Sequence, residues 1–302
     1  MRGLKQDFLL DLNNGRLKSF LMSVIQDDSL CLEIRENYIN VYYRGGNILR
    51  IKPVQSKYEV FFDANYCSKF KDIISGIGAQ DYSTWVRNIP YIKSEMDFWF
   101  HKHPKLEREY QQLVLRENNN SNISKDTDYF IADIEYANNE NGSRFDLLAL
   151  KWKSDSDSRR KADNITLVFI EKKYGDSALA GSAGLQKHIK DMNSFLSDSA
   201  KVDNFFDEME TVFNQKVKLG LIPDIKKEIH ISRELKPEFI LLFANHKPIK
   251  SVFKRELKAA VELPEYESLK ELADIKVATA SFMGYGLYDQ NMISLEDFIN
   301  EY

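Results

Sequence analysis

Two short apolar runs limit what this chain can fold into. Leu167-Val168-Phe169-Ile170 leads directly into Glu171-Lys172-Lys173, and Glu238-Phe-Ile-Leu-Leu-Phe-Ala244 is apolar after its first residue. Runs of this length without polar alternation read as strands buried on both faces. Such strands need a sheet with covering layers on either side, a mixed α/β architecture. A hairpin precedes the first run: a strand over Asp128–Ala137, a turn over Asn138–Gly142 with an Asn-Gly signal, and a strand over Ser143–Trp152. At 302 residues and 43% hydrophobic content, the chain has enough material for such a core.

The flanking regions read differently. Apolar residues at helical spacing over 4–26 predict two short helices, split at Asn13-Asn14-Gly15. Leu30–Ile34, Tyr38–Tyr43, Ile48–Ile51 and Tyr58–Phe62 are rich in β-branched and aromatic residues, and predict an antiparallel β-meander ended on its third strand by Pro53. Residues 67–100 read as helix interrupted at Pro90, and Lys105–Asn118 as an amphipathic helix before the polar break Asn118–Asn122. The spacing predicts helices over Gly181–Ser199, Val202–Leu221 and Lys250–Val261, a strand near Ile275–Phe282 and a short helix over Ser294–Glu301. The charged stretch Lys153–Asp163 reads as a mobile surface loop. The implied division is an N-terminal accessory region, 1–100, and a core domain, 101–302.

A net charge of −4 excludes a general nucleic-acid coat protein, so any such contact must be local. Lys247, Lys250, Lys254, Arg255 and Lys258, with Arg159, Arg160 and Lys161, are the basic cluster available for it. Two cysteines exclude a disulfide scaffold and a Cys-based zinc site. No signal peptide or membrane-length run is present, which leads to the expectation of a soluble, cytoplasmic chain.

The chemistry concentrates between Arg144 and Gly175. Asp146 interrupts the apolar strand Phe145-Asp-Leu-Leu-Ala-Leu150, where burying a lone carboxylate is costly. Glu171 and Lys173, two apart on the next strand, project to one side, and Lys172 to the other. Two carboxylates on neighbouring strands suit a hard, oxygen-seeking cation. The competing reading is a simple ion pair between Glu171 and Lys173 at a strand end.

In order and motif, this stretch resembles the PD-(D/E)XK, or restriction-endonuclease-like, nuclease superfamily. The resemblance covers Lys105 to His246, and the motif's proline is replaced by Phe145. It implies a restriction-endonuclease-like core flanked by helices and a metal-dependent nuclease acting on DNA. Mg2+ or Mn2+ would be held by Asp146, Glu171 and the backbone carbonyl of Lys172, with Lys173 as the catalytic lysine. It also implies a glutamate on the preceding helix, for which Glu109 is chosen over Glu107 and Glu117, and a glutamine on the following one, Gln186. Asp133 is the runner-up acidic ligand, and His188 is an ordinary helix residue with substrate contact as the alternative. A homodimer is a further expected assembly. The alternative function is a catalytically inactive nuclease-fold module that binds nucleic acid or protein.

Overall fold

The computed structural model describes residues 1–67, 71–120, 126–137, 142–162, 164–181, 184–244, 251–280, 287, 289 and 292–301. The chain forms two compact units. The first comprises 1–116 and 211–226, the second 117–210 and 227–302. The division therefore falls after Arg116 rather than after residue 100, and the first unit takes back a later segment.

In the first unit, α1 (Gln6–Asn13) and α2 (Lys18–Ile25) bury Phe8, Leu9, Leu12, Phe20, Leu21 and Val24, the stripes expected from their spacing. Strands β1 (Leu30–Ile34), β2 (Ile39–Tyr43), β3 (Gly46–Val54) and β4 (Lys57–Phe61) form the antiparallel meander in chain order. Arg44 and Gly45 join β2 to β3, both at positive φ (47° and 73°), as a tight hairpin requires. Pro53 does not end β3. The backbone of Tyr58, its partner on β4, bonds the Tyr82 hydroxyl instead, and β2 has already stopped pairing at Ile51, so no ladder bond is lost. Helices α3 (Lys71–Ser75), α4 (Tyr82–Lys102) and α5 (Leu106–Leu115) follow. Pro90 lies inside α4 and does not divide it.

Side-chain amides and ion pairs explain why α5 and the segment from 211 belong here. Gln112 accepts from the N–H of Gly45 and donates to the carbonyls of Ser29 and Tyr42. Lys216 Nζ lies 2.8 and 2.9 Å from the two oxygens of Glu33, both residues fully buried, and Gln215 exchanges hydrogen bonds with the backbone of Leu4.

In the second unit, Arg116–Asn120 is a π-helical turn that the first residue enters from the other unit. The elements that follow are β5 (Tyr129–Ala137), β6 (Arg144–Lys151), α6 (Ser156–Lys161), β7 (Thr166–Tyr174), α7 (Leu185–Leu196), α8 (Ser199–Lys218, which passes into the first unit at Thr211) and β8 (Glu238–Ala244). Then come α9 (Ser251–Val261), α10 (Pro264–Leu272), β9 (Asp274–Ala280), β10 (Ile293–Ser294) and α11 (Leu295–Glu301). Six strands form one mixed sheet ordered β10-β9-β8-β7-β6-β5. β5, β6 and β7 pair antiparallel, while β7, β8 and β9 pair parallel, so β7 is where the two halves meet. Every residue of β8 and all of β7 but Tyr174 are buried, as the two apolar runs require. The face carrying Phe169 and Phe243 is covered by α7 through Phe195, α8 through Phe205 and α9 through Phe253.

Two stretches read as a loop or break are built into this unit. Asn118 and Asn119 are buried. The Asn119 amide exchanges two 2.8 Å hydrogen bonds with the backbone of Ile131, filling the outer edge of β5 at its bulge, and Asn118 Oδ1 accepts from the N–H of Leu287. The rest of that break, 121–122, lies outside the described residues, as do residues 138–141 of the expected turn and 281–282 of the expected strand. The Lys153–Asp163 stretch contains α6, capped by Asp155 on the N–H of Ser158. Arg159 stacks on Phe130 and Trp152 (4.4 and 5.0 Å to the ring centroids), and burial pushes its guanidinium down to about 10. Helix α10, bounded by Pro264 at its start, has no counterpart among the expected elements.

At the Thr166 end of β7, a buried polar network ties four strands together. Glu238 accepts from Tyr129, Lys151 and Lys276, and both lysines also reach Asp289. Here two ammonium groups meet two carboxylates, and each group has partners.

Candidate functional site

The opposite end of β7 is built differently. The β6–β7 ladder stops at Leu147↔Ile170, one step short of Asp146 and Glu171. Beyond that point β6 parts from β7, and Asp146 turns its side chain into the gap. The N–H of Lys172 donates to Asp146 Oδ2 at 2.9 Å. In a strand, the N–H and C=O of one residue face the same edge, so the Lys172 carbonyl points to this gap as well.

Asp146 and Glu171 are in direct carboxyl–carboxyl hydrogen-bonding contact. Such a bond needs a proton on one of them. Burial, reinforced by the charge of Asp146, pushes Glu171 well above the usual carboxylate range. Burial also raises Asp146, against the opposing pull of the Lys172 N–H and of Lys173. Of the two, Glu171 is raised the more strongly, while Asp146 already accepts the backbone N–H.

Lys173 lies on the same face of β7 as Glu171, with its Nζ 2.8 Å from Glu171 Oε1. Both residues are 6% exposed. The pair expected from spacing alone thus exists, but out of water rather than on a solvated strand end. His188, one turn into α7, closes a triangle: its Nε2 is 2.8 Å from Lys173 Nζ and 3.1 Å from Glu171 Oε1. Asp146 and His188 are half-buried and form the accessible side of the cluster.

Helix α7 is held against β7 by Phe195, which packs on Phe169 and Phe145. Its first turn is fixed by Gly184. A methyl group there would lie 2.6 Å from the Leu179 carbonyl oxygen and 2.8 Å from Ala180. Phe145, at the position of the motif's proline, belongs to this aromatic packing with Tyr136 and Phe205.

Of the expected site residues, Asp146, Glu171, Lys172 and Lys173 come together. Lys172 sends its side chain to the other face, fully buried, with its ammonium 5.3 Å from the Tyr174 ring. Gln186 is half-buried and lies about 160° around α7 from His188, so the residue that meets the cluster is His188. Glu109 belongs to the first unit, where Arg44 holds it from Nε at 2.8 Å while also binding Asp97. Asp133 is fully buried on β5.

Glu135, two residues after Asp133 on β5, stands directly across from Asp146. The pairs Ile134↔Leu147 and Tyr136↔Phe145 bracket the two, and the charge of Glu135 raises Asp146 further. It adopts φ 53°, a left-handed backbone inside a strand that an L side chain enters only at a cost of about 1–2 kcal/mol. Among the described residues, no group of three His, Cys, Asp or Glu side chains stands at metal-ligand spacing.

Among the described residues, four members of the basic cluster have partners. Arg159 is stacked in the core, Arg160 and Lys161 pair with Asp157, and Arg255 pairs with Glu256. Lys247 and Lys250 lie outside the described residues. No described helix is long and apolar enough to cross a membrane. Comparison of the chain with protein-family models, curated proteins and solved structures gives no match.

Proposed function

We propose that this chain is a metal-dependent nuclease that hydrolyses phosphodiester bonds in DNA, with the PD-(D/E)XK-like arrangement at Asp146, Glu171 and Lys173 as its centre. One observation carries the reading: two carboxyls forced together at the gap between β6 and β7, beside a buried lysine. The cluster lies at the carboxyl end of a strand in the parallel part of the sheet, where open α/β sheets bind ligands. The opposite end of the same strands shows what a purely structural network looks like here, with ammonium and carboxylate groups matched. At the Asp146 end, two acids lie against each other, and burial raises both.

The donor set fits a divalent cation of oxygen preference. Asp146 and Glu171 would hold it, with the Lys172 carbonyl as the third protein oxygen. When bound, Mg2+ or Mn2+ supplies Lewis-acid polarisation of the phosphate and a more acidic water. The chain's own residues do the remaining work. Asp146 is oriented by the Lys172 N–H, and Glu171 by Lys173. Lys173 keeps an ammonium at the cluster, where it offsets negative charge on a phosphate oxygen and orients the attacking water. Burial excludes competing water and strengthens each of these interactions.

The test is cleavage of plasmid and linear DNA with Mg2+ or Mn2+, and of RNA in parallel. Asp146→Ala and Lys173→Ala abolish divalent-dependent cleavage while leaving the fold intact by circular dichroism. Undiminished cleavage in both variants overturns the assignment. RNA cleavage without DNA cleavage moves the substrate, and a wild-type chain that binds neither cation favours a nuclease-like binding module.

A further inference from the structure

We infer that His188 is a positioning residue for Lys173 that holds the lysine amine in place once Glu171 is taken up by a cation. The inference rests on the nuclease reading above. Lysine carries only donors, so the 2.8 Å contact between Lys173 Nζ and His188 Nε2 requires that ring nitrogen to be the acceptor. The proton of the neutral ring is then on Nδ1. The 3.1 Å approach of Nε2 to Glu171 Oε1 is correspondingly two acceptors gathered on one ammonium, rather than an ion pair.

Glu171 and His188 hold Lys173 Nζ with unequal permanence. Glu171 is the proposed cation ligand, and its oxygens are the ones a cation would compete for. His188 sits on a different element, α7, whose first turn is locked by the close approach of Gly184 to Leu179 and Ala180. It is also half-buried, on the accessible side, where it borders the space a phosphate would enter. A lysine side chain has four rotatable bonds, and each fixed partner narrows the positions its amine samples. The imidazole removes that freedom without adding charge to the site.

The experiment compares His188→Leu, which keeps apolar bulk but has no acceptor, with His188→Gln, whose side-chain oxygen can accept. Three readouts are taken on the full chain: acetylation of Lys173 by acetic anhydride, mapped by mass spectrometry with and without Mn2+; Mn2+ affinity by calorimetry; and kcat and KM for DNA. The leucine variant should increase Lys173 labelling in the Mn2+-bound chain and lower kcat by about 10–100-fold, with KM and Mn2+ affinity unchanged. The glutamine variant should recover most of both. Unchanged labelling and kcat in His188→Leu, or a loss of Mn2+ affinity as large as that of Glu171→Gln, overturns the inference. Failure of the underlying reading looks different: wild type neither binds Mn2+ nor cleaves, which removes the catalytic consequence, while metal-free labelling of Glu171→Ala with and without His188→Leu still decides whether His188 holds the amine.

Discussion

Asp146 and Lys172 are joined across an open seam: the backbone N–H of Lys172 donates to Asp146 Oδ2 at 2.9 Å where β6 no longer pairs with β7. A carboxylate here substitutes for a strand. It satisfies a backbone donor that the ladder has abandoned, and it brings a second carboxyl, Glu171, against the first.

That arrangement makes metal-free stability depend on pH in an unusual direction. Both carboxyls bind a proton more tightly folded than unfolded. Their contribution is fully present below the ordinary values of 3.8 and 4.5 and is lost as pH rises through the raised folded values. In chelator, the slope of melting temperature against pH above 4.5 is more negative for wild type than for Glu171→Gln, which keeps its hydrogens at every pH. Equal slopes for the two proteins would remove the shared proton from this account.

Cation binding should displace that proton. Calorimetry with Mn2+ in two buffers of different ionisation enthalpy is expected to show proton release on binding, growing as pH falls through the raised carboxyl range. Asp146→Asn and Glu171→Gln should each weaken binding and reduce the release. Binding with no buffer dependence speaks against the carboxyl pair as the ligand.

Gly184 is predicted to matter beyond its size. Gly184→Ala places a methyl group 2.6 Å from the Leu179 carbonyl oxygen, so the first turn of α7 must shift. The expected cost is about 1–3 kcal/mol by denaturant unfolding. Because His188 rides on that turn, DNA cleavage should fall further than the folded fraction does. Activity that simply tracks the folded fraction separates α7 from the site.

Asn119→Ala should be among the most damaging polar-to-alanine changes in the second unit. It strands both the N–H and the C=O of Ile131, two buried backbone groups, at an expected cost of about 2–4 kcal/mol. Asn119→Asp keeps the acceptor and loses the donor, and should fall between alanine and wild type in urea melts. A neutral alanine variant would mean that water replaces the amide.

The sheet and its key pair were readable because burial leaves a local mark. Leu167–Ile170 and Glu238–Ala244 are uninterrupted apolar runs, and both are strands buried on each face. Asp146 was legible for the complementary reason, as a charge in an apolar strand. What escaped depends on partners remote in sequence. Asn118 and Asn119 look like a polar break until Ile131 and Leu287 are there to receive them. Arg159 looks like a solvated charge until Phe130 and Trp152 are stacked beneath it. Glu109 and Gln186 followed the resemblance, but Arg44 claims the first, and the turn of α7 presents His188 in place of the second. Glu135 is signalled only by its backbone angle and by register, neither of which a sequence displays.

The path of the chain through the two units has a consequence for synthesis. The first unit is complete only with residues 211–226, and its buried Glu33 waits for Lys216, 183 positions later. An N-terminal fragment ending near residue 116 keeps Arg35 at 3.9 Å from Glu33 but lacks the closer Lys216 ammonium, and removing one partner of a buried charge group costs several kcal/mol. Synthesis must therefore run through Lys226 before the first unit can settle. Neither unit can be cut out as one uninterrupted piece of polypeptide.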